Sequence, residues 1–228
     1  SGGEQILLGL HLLLHAADVL VGERQAEPAG FGAQRCDALA ALVEQWQELG
    51  AAAPDFALPD ADGTLHRLAD FAAAPALLVA FLSNHCPFVL LIREQFARLA
   101  RDYADRGLAV VAINSNDAGA YPEEALDRLG IEAREQGYAF PYLKDADQAT
   151  ARAYGAACTP DLYLYDAARR LAYHGQFDEA RPGNGKPVTG ADLRTAIEAL
   201  LAGRQPSLPQ TPSIGCNIKW LAGTEPVA

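Results

Sequence analysis

The spacing of hydrophobic and polar positions divides the chain at about residue 53. Before it, apolar residues recur at helical spacing, whereas after it short apolar runs alternate with turn residues and helical stretches. The runs Ala76–Leu82 and Leu108–Ile113 are continuously apolar, which predicts two strands buried on both faces. An apolar stripe at helical spacing predicts a long helix from Pro87 to about Asp105.

The other predicted elements are shorter. Pro122 is expected to begin a helix that carries Glu123 and Glu124 near its positive end. The rest are a hairpin around the turn 60–63, a strand over 140–143, helices over 147–154 and 189–202, and an antiparallel strand pair over 162–165 and 171–176. This order predicts an α/β fold with a mixed central sheet and helices on both faces.

The length of 228 residues suits one well-buried core with appended segments. We predict a helical extension over residues 1–50, the main domain over 51–204 and a proline-rich tail over 205–228 that packs on the domain. The amphipathic helix after Ile6 offers either a homodimer or partner surface, or simply docks on its own core, and the second interpretation is favoured. His11 and His15 fit a solvated face better than a metal site.

The charge and cysteine content exclude several functional classes. A net charge of −11 disfavours binding to nucleic acid or to an anionic membrane surface, and neither a membrane span nor a secretory signal is recognisable. The four cysteines are too sparse for a disulfide scaffold and contain no Cys-x-x-Cys pair. We expect no metal or cofactor, a cytoplasmic location that keeps thiols reduced, and a structural or incidental role for Cys36.

Cys86 is the strongest candidate for chemistry. It follows the buried strand directly and precedes Pro87 at the first position of the longest predicted helix. Free amide groups and the positive end of the helix dipole converge there, so they stabilise a thiolate and lower the thiol pKa. The alternative is an inert buried cysteine at a strand end.

Several segments together resemble the thioredoxin superfamily, and within it a redoxin-like branch related to the peroxiredoxins. The resemblance spans roughly residues 53 to 222 and implies a thioredoxin-like fold. The segments that carry it are Ala-Pro-Asp-Phe at 53–56, Ser-Asn-His-Cys-Pro-Phe-Val at 83–89, Asn-Ser-Asn-Asp at 114–117, Tyr-Gly-Ala-Ala-Cys-Thr-Pro-Asp at 154–161, Arg-Pro-Gly-Asn-Gly at 181–185 and Ser-Ile-Gly-Cys-Asn-Ile-Lys-Trp at 213–220.

The resemblance implies a substrate site on the loop that faces Cys86. Pro160 matches the proline that this fold keeps cis, and the backbone of Thr159 would pair with a bound peptide or thiol as an added strand does. An ordinary trans proline at a strand start is the less favoured interpretation.

The resolving thiol is the main departure from a thioredoxin, because Val89 stands where a second active-site cysteine would be. Cys158, two residues before Pro160, is slightly preferred on fold geometry, while Cys216 lies in a tail motif that would fold back over the site. The third alternative is resolution by an external thiol.

A peroxidase interpretation meets a second departure, since Val79 replaces the proline and Ser83 the threonine that precede a peroxiredoxin nucleophile. Ser83 retains a hydroxyl for the thiolate or the peroxide. His85 favours the thiolate if it is protonated, or has no role, and Asn114 closes a strand at the edge where α/β folds bind ligands or only forms a turn.

The sequence therefore predicts a thiol-dependent oxidoreductase that acts on protein disulfides, small disulfides or hydroperoxides and is recycled by an external thiol reductant. The rival hypothesis is a non-enzymatic binding module whose groove beside Pro160 holds a partner and whose Cys86 is vestigial or regulatory.

Overall fold

The computed structural model describes residues 48–225. The predicted N-terminal helices, including His11, His15 and Cys36, lie outside the described residues. The possibility of a dimer through the first helix therefore remains a prediction.

The described chain alternates strands and helices in the predicted order. The strands are β1 (Ala57–Pro59), β2 (Leu65–Arg67), β3 (Ala76–Phe81), β4 (Leu108–Asn114), β5 (Tyr142–Lys144), β6 (Cys158–Thr159), β7 (Asp161–Tyr165), β8 (Leu171–His174) and β9 (Cys216–Asn217). The helices are α1 (Pro87–Ala104), α2 (Leu126–Glu135), α3 (Ala149–Tyr154) and α4 (Ala191–Leu201). Short 3-10 turns cover Leu68–Phe71 and Pro122–Glu124.

The central sheet has five strands in the order β5-β4-β3-β7-β8. Strands β3, β4 and β5 run parallel, whereas β7 pairs antiparallel with both β3 and β8. Strand β3 lies in the middle and is completely buried, as its continuous apolar run predicts. Because α1 follows β3 within a few residues, the start of α1 lies at the carboxyl end of the central strand.

Two hydrophobic layers hold the sheet from opposite faces, because successive side chains of a strand point to opposite sides. Leu78 and Ala80 of β3 pack in the layer formed by α1 and α4. Leu77, Val79 and Phe81 pack in the other layer, against α3 and the residues around β1. The mixed sheet with helices on both faces confirms the predicted α/β architecture.

Two local differences from the predicted elements matter for the site. The helix expected over 122–136 is interrupted at Ala125, whose backbone is extended, so that α2 begins only at Leu126. Glu124, expected near a helix end, is instead fully buried. The tail, which showed no periodicity, contains β9, and β9 pairs with β6 in a separate two-stranded sheet.

None of the helices between residues 48 and 225 has the length and apolar character needed to cross a membrane.

Replacing Leu99, which is completely buried on the inner face of α1, tests this packing. We expect Leu99→Ala to lower the free energy of unfolding by about 2–5 kcal/mol, because it removes buried methyl groups and leaves a cavity. The matched control is Leu90→Ala on the same helix, where the side chain is 39% exposed and the loss should stay near about 0.5 kcal/mol. Urea unfolding measures both, and equal losses would contradict the assigned helix faces.

Candidate active site

Three segments meet at the start of α1. They are the 83–86 turn after β3, the loop that contains β6, and β9 from the tail. Cys86 is the N-cap residue of α1 and is followed by Pro87 at the first helical position. The sequence therefore folds here so that a thiol lies beside the free amides of a helix start.

The Cys86 thiol is fully buried and has defined partners. Its Sγ lies 3.0 Å from the carbonyl oxygen of Thr159, to which the protonated thiol donates a hydrogen bond. The backbone N–H of Cys86 donates to Ser83 Oγ at 3.1 Å, which fixes the turn before the helix. The sulfur is thus held between the helix start and the β6 loop.

The surroundings favour the thiolate form of Cys86. A hydrogen bond from the thiol of Cys216 is the largest cause that lowers the pKa of Cys86, and it outweighs burial, which raises it, so that the pKa falls to about 5. The Thr159 side chain and the backbone N–H of Val89 lower the pKa further. The Thr159 hydroxyl is buried with no other hydrogen bond, which leaves it available to the sulfur. The pKa of Cys216 is raised because its thiol bonds to Cys86.

The loop that faces Cys86 has the geometry that the sequence motif implied. The Thr159–Pro160 peptide bond is cis. Strand β6 pairs antiparallel with β9, so that Thr159 lies opposite Cys216 and Cys158 lies opposite Asn217. This register sets Cys216 next to the residue whose carbonyl bonds to Cys86.

The two candidate resolving thiols have different surroundings. Cys216 is partly exposed and bonds to Cys86. Cys158 is buried, and its Sγ donates to the carbonyl oxygen of Pro160 at 3.7 Å. Neither cysteine forms a disulfide, and nor does Cys86.

A buried carboxylate organises the turn before Cys86. Glu124 accepts hydrogen bonds from Ser83 Oγ at 2.7 Å and from the backbone N–H of Asn84 at 3.0 Å, and it contacts the His85 ring and the Asn114 amide. Burial opposes ionisation of Glu124, but these hydrogen bonds outweigh it and lower its pKa to about 2. The hydrogen bond between His85 and Glu124 raises the pKa of His85. The charge of Glu124 is therefore compensated without access to water.

The predicted substrate-binding residues divide into two groups. Thr159 and Pro160 line the site directly. Ser83, His85 and Asn114 belong to the Glu124 network: His85 stacks on Tyr121 with ring centres 5.1 Å apart, and Asn114 also accepts a hydrogen bond from Lys144 Nζ at 2.8 Å. These three side chains hold the turn that carries Cys86.

A cleft opens beside Pro160 next to the start of α1. The residues that line it include Phe88, Ile92, Phe177, Arg181 and Ile214. Arg181 is fixed by hydrogen bonds to the carbonyl oxygens of Asp178 and Ala180, at 2.6 and 2.7 Å. Within the described part of the chain, no group of three or more His, Cys, Asp or Glu side chains is arranged to hold a metal ion.

The sequence does not reveal two features of the site, which are the burial of the Glu124 carboxylate and the effect of the Val89 backbone N–H on the pKa of Cys86. Glu124 follows Glu123 in a polar stretch, so nothing in the pattern distinguishes the buried carboxylate from the half-exposed one. The Val89 contribution comes from the backbone and carries no side-chain signal. The strand β9 carries no such signal either, because it has only two residues, Cys216 and Asn217, which are both half-buried.

The Glu124 charge should make stability depend on acid pH. Its pKa is lowered in the folded protein, so its stabilisation is fully present above its ordinary pKa and is lost as the pH falls towards about 2. We expect Glu124→Gln to lower the free energy of unfolding at neutral pH by on the order of 3 kcal/mol and to flatten the pH dependence in that acid range.

Urea unfolding across the pH range measures this effect, with Glu123→Gln as the control at the half-exposed neighbour. Titration of His85 by NMR gives an independent readout, because its raised pKa should fall further in Glu124→Gln, which removes the largest cause, than in Glu123→Gln, which removes a smaller charge contribution. Identical pH profiles for the two variants would refute the role assigned to Glu124.

Comparisons with known proteins agree with this geometry. Residues 49–174 match the model of the AhpC/TSA family. Over 118 residues the chain is 27% identical to the thiol-disulfide oxidoreductase ResA of Geobacillus thermodenitrificans, an alignment that covers 52% of this chain and 63% of the length of ResA.

Two solved structures are more similar. A hypothetical protein from Sinorhizobium meliloti 1021 superposes with a TM-score of 0.77 at 67% identity, covering 78% of this chain and 97% of the other. An uncharacterized conserved protein from Geobacillus kaustophilus gives a TM-score of 0.76 at 48% identity, with 78% and 94% covered. The predicted resemblance to redoxin-like proteins is confirmed, and the chain belongs to the AhpC/TSA family of the thioredoxin superfamily.

Proposed function

We propose that the protein is a thiol-dependent oxidoreductase in which the Cys86 thiolate attacks a disulfide or a hydroperoxide and Cys216 resolves the product. The observation that carries the proposal is the position of the Cys86 sulfur, at the N-cap of α1 and 3.0 Å from the carbonyl oxygen of Thr159, the residue that strand pairing sets opposite Cys216. These surroundings lower the pKa of Cys86 to about 5. At neutral pH the nucleophile is therefore already ionised, which is the form that reacts.

Either substrate class gives a balanced two-step reaction. A hydroperoxide transfers one oxygen to the Cys86 thiolate, which becomes a sulfenic acid while the alkoxide takes a proton and leaves as an alcohol. A disulfide instead forms a mixed disulfide with Cys86 and releases one thiolate. The Cys216 thiol then attacks the Cys86 sulfur, forming an intramolecular disulfide and releasing water or the second thiol.

The contacts support Cys216 over Cys158 as the resolving thiol. Cys216 bonds to Cys86 in the reduced protein, so only a short approach is needed to reach disulfide geometry. Cys158 instead bonds to the carbonyl of Pro160. An external thiol reductant, in a reducing cytoplasm, would then reduce the Cys86–Cys216 disulfide and complete the cycle.

The hydroxyls near the sulfur have different roles in this proposal. Ser83 donates its proton to Glu124 and accepts from the Cys86 amide, so it positions the turn rather than the substrate. The Thr159 hydroxyl has no other partner and is the donor that can bind a peroxide oxygen or a departing thiolate. A proline before the nucleophile, absent at Val79, is not required for either role.

Three single substitutions test the assignment of the thiols. Cys86→Ser should abolish consumption of hydrogen peroxide and of small disulfides. Cys216→Ser should still react once but stop at a sulfenic acid or mixed disulfide, because the internal thiol that resolves it is gone. Cys158→Ser is the matched control and should retain activity within about twofold, less than the effect of one typical net hydrogen bond. Acid quenching and mass spectrometry after one equivalent of substrate, with no added thiol, show where each of the three variants stops, because an excess of dithiol would itself resolve Cys86 in Cys216→Ser.

Disulfide mapping by mass spectrometry after mild peroxide treatment identifies the product. We expect a Cys86–Cys216 linkage in the parent protein. A Cys86–Cys158 linkage would reassign the resolving thiol and keep the oxidoreductase. A Cys86 that reacts with neither substrate would refute the enzyme and leave the binding module, which has no need of a lowered thiol pKa.

A further inference from the structure

The edge of β6 that faces Cys86 is filled by the chain itself. In the β6–β9 pair, Thr159 lies opposite Cys216 and Cys158 lies opposite Asn217. Recognition of an extended polypeptide by strand addition uses these same backbone groups of an exposed edge. A peptide that carries a disulfide to Cys86 along β6 would therefore have to replace β9.

The segment after β9 is fastened to the domain. Ile218 is 2% exposed, and its backbone N–H donates to the carbonyl of Ala157 at 3.1 Å. The backbone of Lys219 bonds to Asn116 Oδ1 at 2.8 Å and to Gln148 Nε2 at 2.9 Å. Displacing β9 would break these bonds and expose Ile218, so the resting protein keeps the edge closed.

The residue before β9 shows how closely the tail packs on the loop. Gly215 lies against the Thr159 carbonyl, and an added Cβ there would overlap the carbonyl carbon and oxygen. Only a residue without a side chain permits β9 to pair with β6 beside the cis peptide bond. The glycine at position 215 therefore allows β9 to occupy the edge of β6.

A small molecule can reach Cys86 with less rearrangement of the protein than a peptide that binds along β6. Cys86 is fully buried, but its neighbour Cys216 is a single partly exposed side chain. The cleft beside Pro160, between Phe88 and Ile214, leads to the same end of α1. A small molecule does not pair with a strand, so its approach along this cleft does not require β9 to leave β6.

We propose that β9 is a fixed internal occupant of the strand-addition edge, so that Cys86 reacts with hydroperoxides and small disulfides and excludes disulfides carried on extended polypeptides. This inference rests on the proposed function and names its substrate class. The chemistry is unchanged: the Cys86 thiolate displaces one thiolate from the disulfide and forms a mixed disulfide with the remaining half.

The test compares one disulfide in two settings. Cystamine is the small probe, and an extended peptide whose one cysteine carries cysteamine as a mixed disulfide is the polypeptide probe. Acid quenching and mass spectrometry of the full chain give the second-order rate at which each probe modifies Cys86. We expect the parent protein to prefer cystamine by at least about tenfold, the effect of one or two net hydrogen bonds.

Gly215→Ala should open the edge, because the added methyl group displaces β9 from Thr159. Displacing β9 also removes the Cys216 hydrogen bond from Cys86 and so changes both rates. The two rates are therefore compared as a ratio within each variant, and we expect Gly215→Ala to raise the ratio of the peptide rate to the cystamine rate about tenfold or more. Gln148→Ala, which loosens the tail at Lys219 and Leu221 without touching Cys86, should raise the same ratio. Gln205→Ala, at an exposed tail position, is the control and should change neither rate.

The outcomes separate this inference from the function on which it rests. Equal rates for the two probes in the parent protein overturn the inference and leave the oxidoreductase intact. An unchanged ratio of peptide rate to cystamine rate in Gly215→Ala and Gln148→Ala, with folding confirmed by circular dichroism, overturns it in the same way. Failure of Cys86 to react with both probes and with hydrogen peroxide in every variant overturns the proposed function itself.

Discussion

The antiparallel pairing of β9 with β6 is the contact on which the site depends. It sets Cys216 opposite Thr159, whose carbonyl accepts a hydrogen bond from Cys86, and so brings two thiols far apart in the chain to one point. The cis peptide bond at Pro160 and the start of α1 supply the rest of the frame. Without β9 the sulfur would lose the hydrogen bond that contributes most to its lowered pKa. The pairing of β9 with β6 therefore determines both the packing around Cys86 and the pKa of its thiol.

A second constraint lies beneath the turn that carries the nucleophile. Burying the Glu124 carboxylate is costly unless its oxygens are satisfied, and Ser83, Asn84, His85 and Asn114 satisfy them. Ser83 connects this network to the site, because its hydroxyl also accepts the Cys86 amide hydrogen. The orientation of the α1 N-terminus thus depends on a charge that the substrate never touches. This explains how the site keeps a rigid turn although valine stands at position 79.

The layout of the sheet and the position of Cys86 at the start of a helix could be predicted from the sequence, because they depend on local patterns. The apolar run of β3, the stripe of α1 and Pro87 after Cys86 are signals read within a few residues. Glu124 and β9 could not be predicted in the same way. Burial of Glu124 results from contacts about 40 residues away in the chain, and β9 is too short for a period and is defined by a partner almost 60 residues earlier. The preference for Cys158 followed from its nearness to Pro160 in sequence, whereas strand pairing favours Cys216.

The measurement that tests the central claim most directly is a titration of the Cys86 thiolate by its ultraviolet absorbance, in the parent protein and in Cys216→Ser, with Cys86→Ser as the blank. The account predicts ionisation with a pKa near 5 in the parent protein and a clear rise towards the ordinary cysteine value when the Cys216 hydrogen bond is removed. A Cys86 pKa that is already ordinary in the parent protein, or that does not change in Cys216→Ser, would contradict it.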